Sequence, residues 1–122
     1  MTEKPSPALQ VALANHAWTA KDFEQAMTYI SADIVCDAPA GRITGIDAYR
    51  AFMGPFVQIL TDADLIAAFG DDDTALVMYV IETIPVKHAP GAECVTVKDG
   101  KITDSRFVFD RAPFEAARNQ AT

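Results

Sequence analysis

The chain is poor in the residues that usually announce chemistry. Its 122 residues include two cysteines, two histidines and one tryptophan. Cys36 and Cys94 are far apart in sequence, so they form neither a disulfide framework nor a four-ligand zinc set. His16 and His88 are isolated, and Asp71-Asp72-Asp73 lacks the glycine and distal glutamate of a calcium loop. No metal and no cofactor are therefore expected. Positive charge is scarce too: 10 Lys and Arg against 17 Asp and Glu give a net charge of −7. Phosphate binding is driven by basic side chains, so nucleic acid is excluded as a partner. Apolar runs such as Ala75 to Ile81 fall far short of the ~20 residues that span a bilayer. Met1-Thr2-Glu3-Lys4-Pro5 lacks the basic-then-apolar layout of a secretion signal. No membrane partner and a reducing, cytoplasmic setting are expected. There is no glycine-rich phosphate loop and no serine in a strained strand-to-helix turn.

What is present is an ordinary globular composition, half apolar and 22% charged. Residues 1–122 read as a single domain, with 1–6 as a frayed tail. Ser6-Pro7 opens a first helix that runs to about Trp18, with Leu9, Ala12, Leu13 and His16 in one row. Asp22 caps a second helix, with Gln25 at the capping-box position, and Ser31-Ala32-Asp33 closes it. A short strand, Ile34 to Ala38, stops at Pro39 and a loop through Gly41. A third helix starts near Ile46, and Gly54-Pro55 predicts a kink or break before Leu60. Beyond Ala63 the period changes. Ala63 to Phe69, Thr74 to Ile84, Ala92 to Val97 and Ile102 to Phe109 read as strands, and Lys87 to Gly91 as a loop. The long apolar run from Thr74 predicts burial on both faces. Arg111 to Asn119 reads as a terminal helical turn.

Helices first and antiparallel strands after them argue α+β: N-terminal helices packed on a strongly curved antiparallel or mixed sheet, enclosing a conical cavity. Four stretches now carry a resemblance. They are Ala17-Trp18-Thr19-Ala20-Lys21-Asp22-Phe23, Asp33-Ile34-Val35-Cys36-Asp37-Ala38-Pro39, Thr44-Gly45-Ile46-Asp47-Ala48-Tyr49 and Val97-Lys98-Asp99-Gly100-Lys101-Ile102. In this order they resemble the SnoaL-like branch of the nuclear transport factor 2-like superfamily, with its cystatin-like α+β cone. That fold hosts cyclases, isomerases, hydrolases, dehydratases and binding modules, so it implies no single reaction. The steroid isomerases of the superfamily use an aspartate base, a tyrosine and a neutral acid. Their base position falls here on Ala38 and their tyrosine on Ala14, and only the acid, near Glu93, is kept in kind. Ketosteroid isomerase activity is not expected.

Glu93 ends an apolar strand face that includes Val95 and Val97. The hairpin turn decides what it meets. If Asp99-Gly100 is a two-residue turn, Glu93 lies opposite Arg106 and forms an ion pair. If the loop is Lys98-Asp99-Gly100, the partner is Ser105, and Phe107 and Phe109 share its face. The longer loop is favoured by the glycine's position and by the resemblance. A carboxyl in that dry setting keeps its proton and can donate a hydrogen bond to a developing oxyanion. Otherwise Glu93 is an exposed acid at a strand end. Asp37 is the candidate general base, or else a loop-side carboxylate. His16 is a candidate ligand contact or a packed core residue. Trp18, Tyr49, Phe52, Tyr79, Phe107 and Phe109 are candidate cavity walls, with ordinary core packing as the alternative.

Met78 and Val80 face away from the helices. Apolar residues there predict a second layer, most simply another copy of the chain bound sheet to sheet, as the resemblance also implies. Arg106 is expected to face outward, pairing with Glu82 or a dimer mate. The function expected is binding of an apolar small molecule by a cofactor-independent protein. If it is an enzyme, the chemistry is acid/base isomerisation, cyclisation or hydrolysis with Glu93 as donor and Asp37 as base. The alternative is a non-catalytic ligand-sensing or protein-interaction module of the same fold.

Overall fold

Helix α1 (Pro7–Asn15) starts where proline stands at the first helical position, although the Ser6 hydroxyl makes no capping bond. The structure, a computed structural model, describes residues 6–16, 18 and 22–120. The expected tail, apart from Ser6, and the Thr19-Ala20-Lys21 part of the first family-like stretch lie outside the described residues. Helix α2 (Phe23–Met27) is capped as expected, Asp22 accepting the Gln25 backbone N–H at 3.3 Å. It ends sooner than its apolar spacing predicts, because strand β1 (Ile30–Ala38) takes up Ile30 and all of Ser31-Ala32-Asp33. The buried Asn15 amide donates to the Ala26 carbonyl at 3.0 Å and ties α1 to α2.

The expected loop after Pro39 contains a further strand, β2 (Gly41–Thr44), antiparallel to β1. Helix α3 (Ile46–Ile59) neither breaks nor restarts at Pro55. Proline removes the hydrogen bond to the carbonyl four residues back, that of Ala51. Both Ala51 and Pro55 lie on the exposed face, so water can serve that carbonyl and the helix continues. Strands β3 (Leu60–Gly70), β4 (Thr74–Thr83), β5 (Ala89–Lys98) and β6 (Lys101–Phe109) follow, and helix α4 (Ala112–Gln120) closes the order. β5 begins at Ala89, inside the segment expected to be a loop.

The six strands form one mixed sheet in the order β2-β1-β6-β5-β4-β3, with only the β1–β6 pair parallel. Irregularities in the β3–β4, β5–β6 and β1–β6 pairings bend it. α1 packs across β3, β4 and β5, and α3 across β1 and β2. The core lies between these helices and the inner face. The expectation that β4 is buried on both faces is corrected. Ala75, Val77, Tyr79 and Ile81 are buried, but the alternating Leu76 and Met78 are about half exposed, since the helices cover only one side.

Candidate functional site

The β5–β6 hairpin decides which side chains reach the interior. Asp99 and Gly100 both have positive φ, 52° and 77°, so the turn is the two-residue form rather than the longer loop. Lys98 pairs with Lys101 and Val97 with Ile102, but the next pair is Thr96 with Asp104. Thr103 is thus an extra residue, a bulge that advances the register by one. Both readings of the hairpin are corrected. Glu93 pairs with Phe107, not with Arg106 or Ser105, while Arg106 pairs with Cys94. The expected parity nevertheless holds: Glu93, Ser105 and Phe107 share the inner face.

Glu93 is 2% exposed. Its Oε2 accepts the Ser105 hydroxyl at 2.7 Å, the single side-chain hydrogen bond it makes among the described residues. Burial raises its pKa to about 7 against the weaker lowering effect of the Ser105 bond. Cys36 on β1 pairs with Ser105, and burial, then the nearby Glu93, push its thiol up to about 12. Tyr49 and Tyr79 are buried near the same carboxyl and are shifted upward, by burial first and Glu93 second. The polar groups of this interior therefore converge on Glu93, and among the described residues no cation pairs with it.

A cavity of about 90 Å³ lies toward the α4 end of the sheet. Phe52, Met53 and Phe56 of α3 and Tyr79 and Ile81 of β4 form two of its sides. Ala89 and Gly91 of β5, Phe107 and Phe109 of β6, and Phe114 of α4 complete it. Gly91 pairs with Phe109 and with Tyr79, so Glu93, two residues on, sits one row deeper, between Phe107 and Val77. A β-carbon at Gly91 would meet the Tyr79 ring at 3.1 Å, so this position needs its missing side chain to let the ring pass. Phe52, Tyr79, Phe107 and Phe109 stand in the wall as expected. Sites for drug-sized ligands usually enclose about 300 Å³ or more, so the aromatic side chains fill most of the cone.

His16, Trp18 and Tyr49 are not in that wall. The His16 ring packs 5.0 Å from Trp18 and 5.2 Å from Tyr79, and burial lowers its pKa to about 4. It is a neutral core histidine. Trp18 lies edge-on to Tyr79 at 5.6 Å and is buried, as is Tyr49. Asp37 is corrected as a cavity base. It leaves β1 on the face opposite the buried Cys36, where Arg42 and Arg106 grip it at 2.8 and 3.4 Å. The Arg42 hydrogen bond, chiefly, holds its carboxyl below the usual range. Arg106 does face outward, but its partner is Asp37, while Glu82 pairs with Lys87 at 3.7 Å. Sequence reasoning missed Met53, Phe56, Ile81, Ala89, Gly91 and Phe114 as walls; the aromatic in the terminal helical segment was the one available signal for the last. Among the described residues no three His, Cys, Asp or Glu side chains gather as a metal would require, and no helix is long and apolar enough to cross a membrane.

This geometry can be set beside known proteins. A protein from Kribbella flavida DSM 17836, known from its crystal structure, is 57% identical over 94% of this chain and 96% of its own, with a TM-score of 0.91. A nuclear transport factor 2-like protein of unknown function from Cytophaga hutchinsonii ATCC 33406 is 17% identical over 94% of this chain and 99% of its own, with a TM-score of 0.73. TerC, co-crystallised with polyporic acid, is 19% identical over 93% of this chain and 99% of its own, with a TM-score of 0.74. The last two show a shared fold. No curated protein matches the chain. The SnoaL-like domain matches residues 11–105, well over half the length, and on that match the chain belongs to the SnoaL-like domain family.

Proposed function

We propose that this protein binds an apolar, carbonyl-bearing organic molecule at the aromatic cavity, and that the protonated carboxyl of Glu93 is the hydrogen-bond donor it offers. One observation carries the reading: a fully interior acid, partnered among the described residues by Ser105 alone, one side-chain row from a cavity with walls of aromatic rings. Near its pKa of about 7 the acid is neutral in a large share of molecules, and a neutral acid can polarise a carbonyl by donating to it. Glu93 is outside the lining and its cross-strand partner Phe107 is part of it, so this reading requires the ligand to reach past the lining rings to the carboxyl. The fold is compatible with organic ligands, since TerC was co-crystallised with polyporic acid.

Asp37 lies on the other face, so among the described residues Glu93 is the one acid near the cavity and has no paired base beside it. This favours ligand binding or sensing as the second reading over a two-carboxylate acid/base reaction. The test is a titration of hydrophobic ketones against wild type and Glu93→Gln across pH. Wild-type affinity is expected to fall as pH rises through about 7, while the variant, which does not ionise, shows no such fall. Identical pH profiles, or an NMR titration placing Glu93 near the ordinary 4.5, overturn the role of the acid. Product formation from a bound ketone separates enzyme from sensor.

The partner in the assembly is proposed to be a second copy bound through the outer face of the sheet. Phe69, Leu76 and Cys94 make one row there, and Met78, Ala92 and Val108 the next, with the Asp37–Arg106 pair at the border. Phe69 is 71% and Val108 60% exposed, an apolar area of the kind that marks an interface. Sedimentation as a monomer at micromolar concentration removes this part of the proposal.

A further inference from the structure

The C-terminal helix touches the cavity with one ring. In α4, Ala112, Pro113, Glu115, Ala116, Arg118 and Asn119 are exposed, and Phe114 is the large side chain turned inward. Phe114 lies edge-on to Phe109, centroids 5.8 Å apart at 76°, and forms part of the cavity wall. Two polar contacts at this end are local: Asp110 accepts the Ala112 N–H at 3.0 Å, and Arg111 pairs with Glu115 at 2.8 Å. α4 also lies outside residues 11–105, the part the family domain covers. The cavity beneath it, about 90 Å³, is smaller than a binding site for a multi-ring molecule, yet its walls are five phenyl rings and one phenol.

We propose that α4 is a displaceable lid, and that the Phe114 ring holds the place taken by one ring of an uncharged aromatic ligand of two or more rings. The inference rests on the cavity being the binding site. A flat aromatic guest repeats the edge-to-face packing that Phe114 makes with Phe109, so exchanging one ring for the other costs little contact. An anionic guest is disfavoured because the lining offers no cation and the chain carries a net charge of −7, and a cationic one because the lining offers no carboxylate. The ligand therefore competes with a side chain of the protein itself, and its apparent affinity is reduced by the fraction of molecules with the lid open.

The probe is prodan, an uncharged naphthalene ketone dye, titrated into the full chain and into Phe114→Ala, with Phe52→Trp as the variant that fills the cavity. Removing the plug is expected to speed association and tighten binding about tenfold, as when a closed-state penalty is lifted. In wild type, prodan is expected to lower amide-exchange protection in α4 while raising it around Phe107. Phe114→Leu, which keeps apolar bulk without a ring, covers the case in which the alanine variant does not fold. Equal or weaker binding by the plug variants, or α4 amides that gain protection with dye, overturns the lid and leaves the site standing. No binding by wild type or plug variants, or binding that survives Phe52→Trp, overturns the site and the lid together.

Discussion

Glu93 on β5 and Asp37 on β1 are separated by a single strand, and they leave the sheet on opposite faces. Glu93 meets Ser105 and aromatic rings; Asp37 meets two guanidinium groups. The first is pushed up to about 7 by desolvation, and the second is held down mainly by Arg42. Two carboxylic acids of nearly equal intrinsic strength are thus made unlike by which way a strand residue points. Residue type alone does not identify a functional acid in a sheet protein. Parity does, and parity depends on register.

The comparison breaks most visibly if a charge is moved across the sheet. Val77→Asp places an unpaired carboxylate on the inner face, where Val77 is 1% exposed, and should cost at least about 4 kcal/mol, enough to abolish the cooperative melt. Leu76→Asp, its neighbour on the outer face at 49% exposure, should cost less than about 1 kcal/mol within one chain and act instead on assembly. Circular dichroism melts and sedimentation of the two variants check this.

Next in size is the pH dependence of stability, where the buried acid and the buried imidazole oppose each other. Glu93 holds its proton more tightly folded (about 7) than unfolded (4.5), so its contribution is complete below 4.5 and lost as pH rises through about 7. His16 is about 4 folded against 6.5 unfolded, so its contribution is complete above 6.5 and lost as pH falls toward 4. Each amounts to roughly 3 kcal/mol, with opposite sign, so the two nearly cancel between 4.5 and 6.5. Urea denaturation should show little slope from this pair in wild type. Glu93→Gln should become more stable with rising pH over that window, and His16→Gln less so.

Ser105→Ala comes third. It removes the one hydrogen bond to Glu93 and should cost roughly 2 kcal/mol where the acid is ionised, and less where it is neutral. Because that bond lowers the Glu93 pKa, the variant's NMR titration should move upward from about 7. The smallest effect belongs to Asp37→Asn. Its partners are exposed surface arginines, so the melting temperature should stay within the scatter of replicate scans. A large loss there would show the outer pair to be more than a surface ion pair.

Much of this was legible in the residues. Helical spacing located α1 and α3, and the change of period located β3, β4 and β6. The losses have physical causes. Ser31-Ala32-Asp33 carries no β-branched or aromatic side chain, so the first half of β1 reads as a helix end; it is an irregular stretch held in the strand by the flanking pairs of Ile30 with Ile102 and Val35 with Asp104. Ala89-Pro90-Gly91 reads as a turn but opens β5, with Pro90 exposed at the strand's start. Pro55 reads as a break but sits where solvent relieves it. Within the site, Glu93 and three of the aromatic walls were legible from alternation, and Phe52 from helical spacing. Asp37 stands one residue before Ala38, the isomerase base position, and that shift of one already turns it to the opposite face from Ile34 and Cys36. Trp18, Tyr49 and His16 were assigned to a ligand, whereas close packing of their own rings claims that volume.

The extra residue at Thr103 has a consequence for how the hairpin zips. Asp99-Gly100 starts the ladder in a register that, left uninterrupted, pairs Thr103 with Thr96 and delivers Arg106 to Glu93. In water those two ions attract, and no core yet exists to draw Phe107 inward. A peptide spanning residues 89–109 is therefore expected to favour the slipped ladder, visible as nuclear Overhauser contacts between residues 93 and 106. In the folded chain the burial of Phe107 and Glu93 selects the bulged register, so it is the core, and not the turn, that decides which residue stands beside the acid.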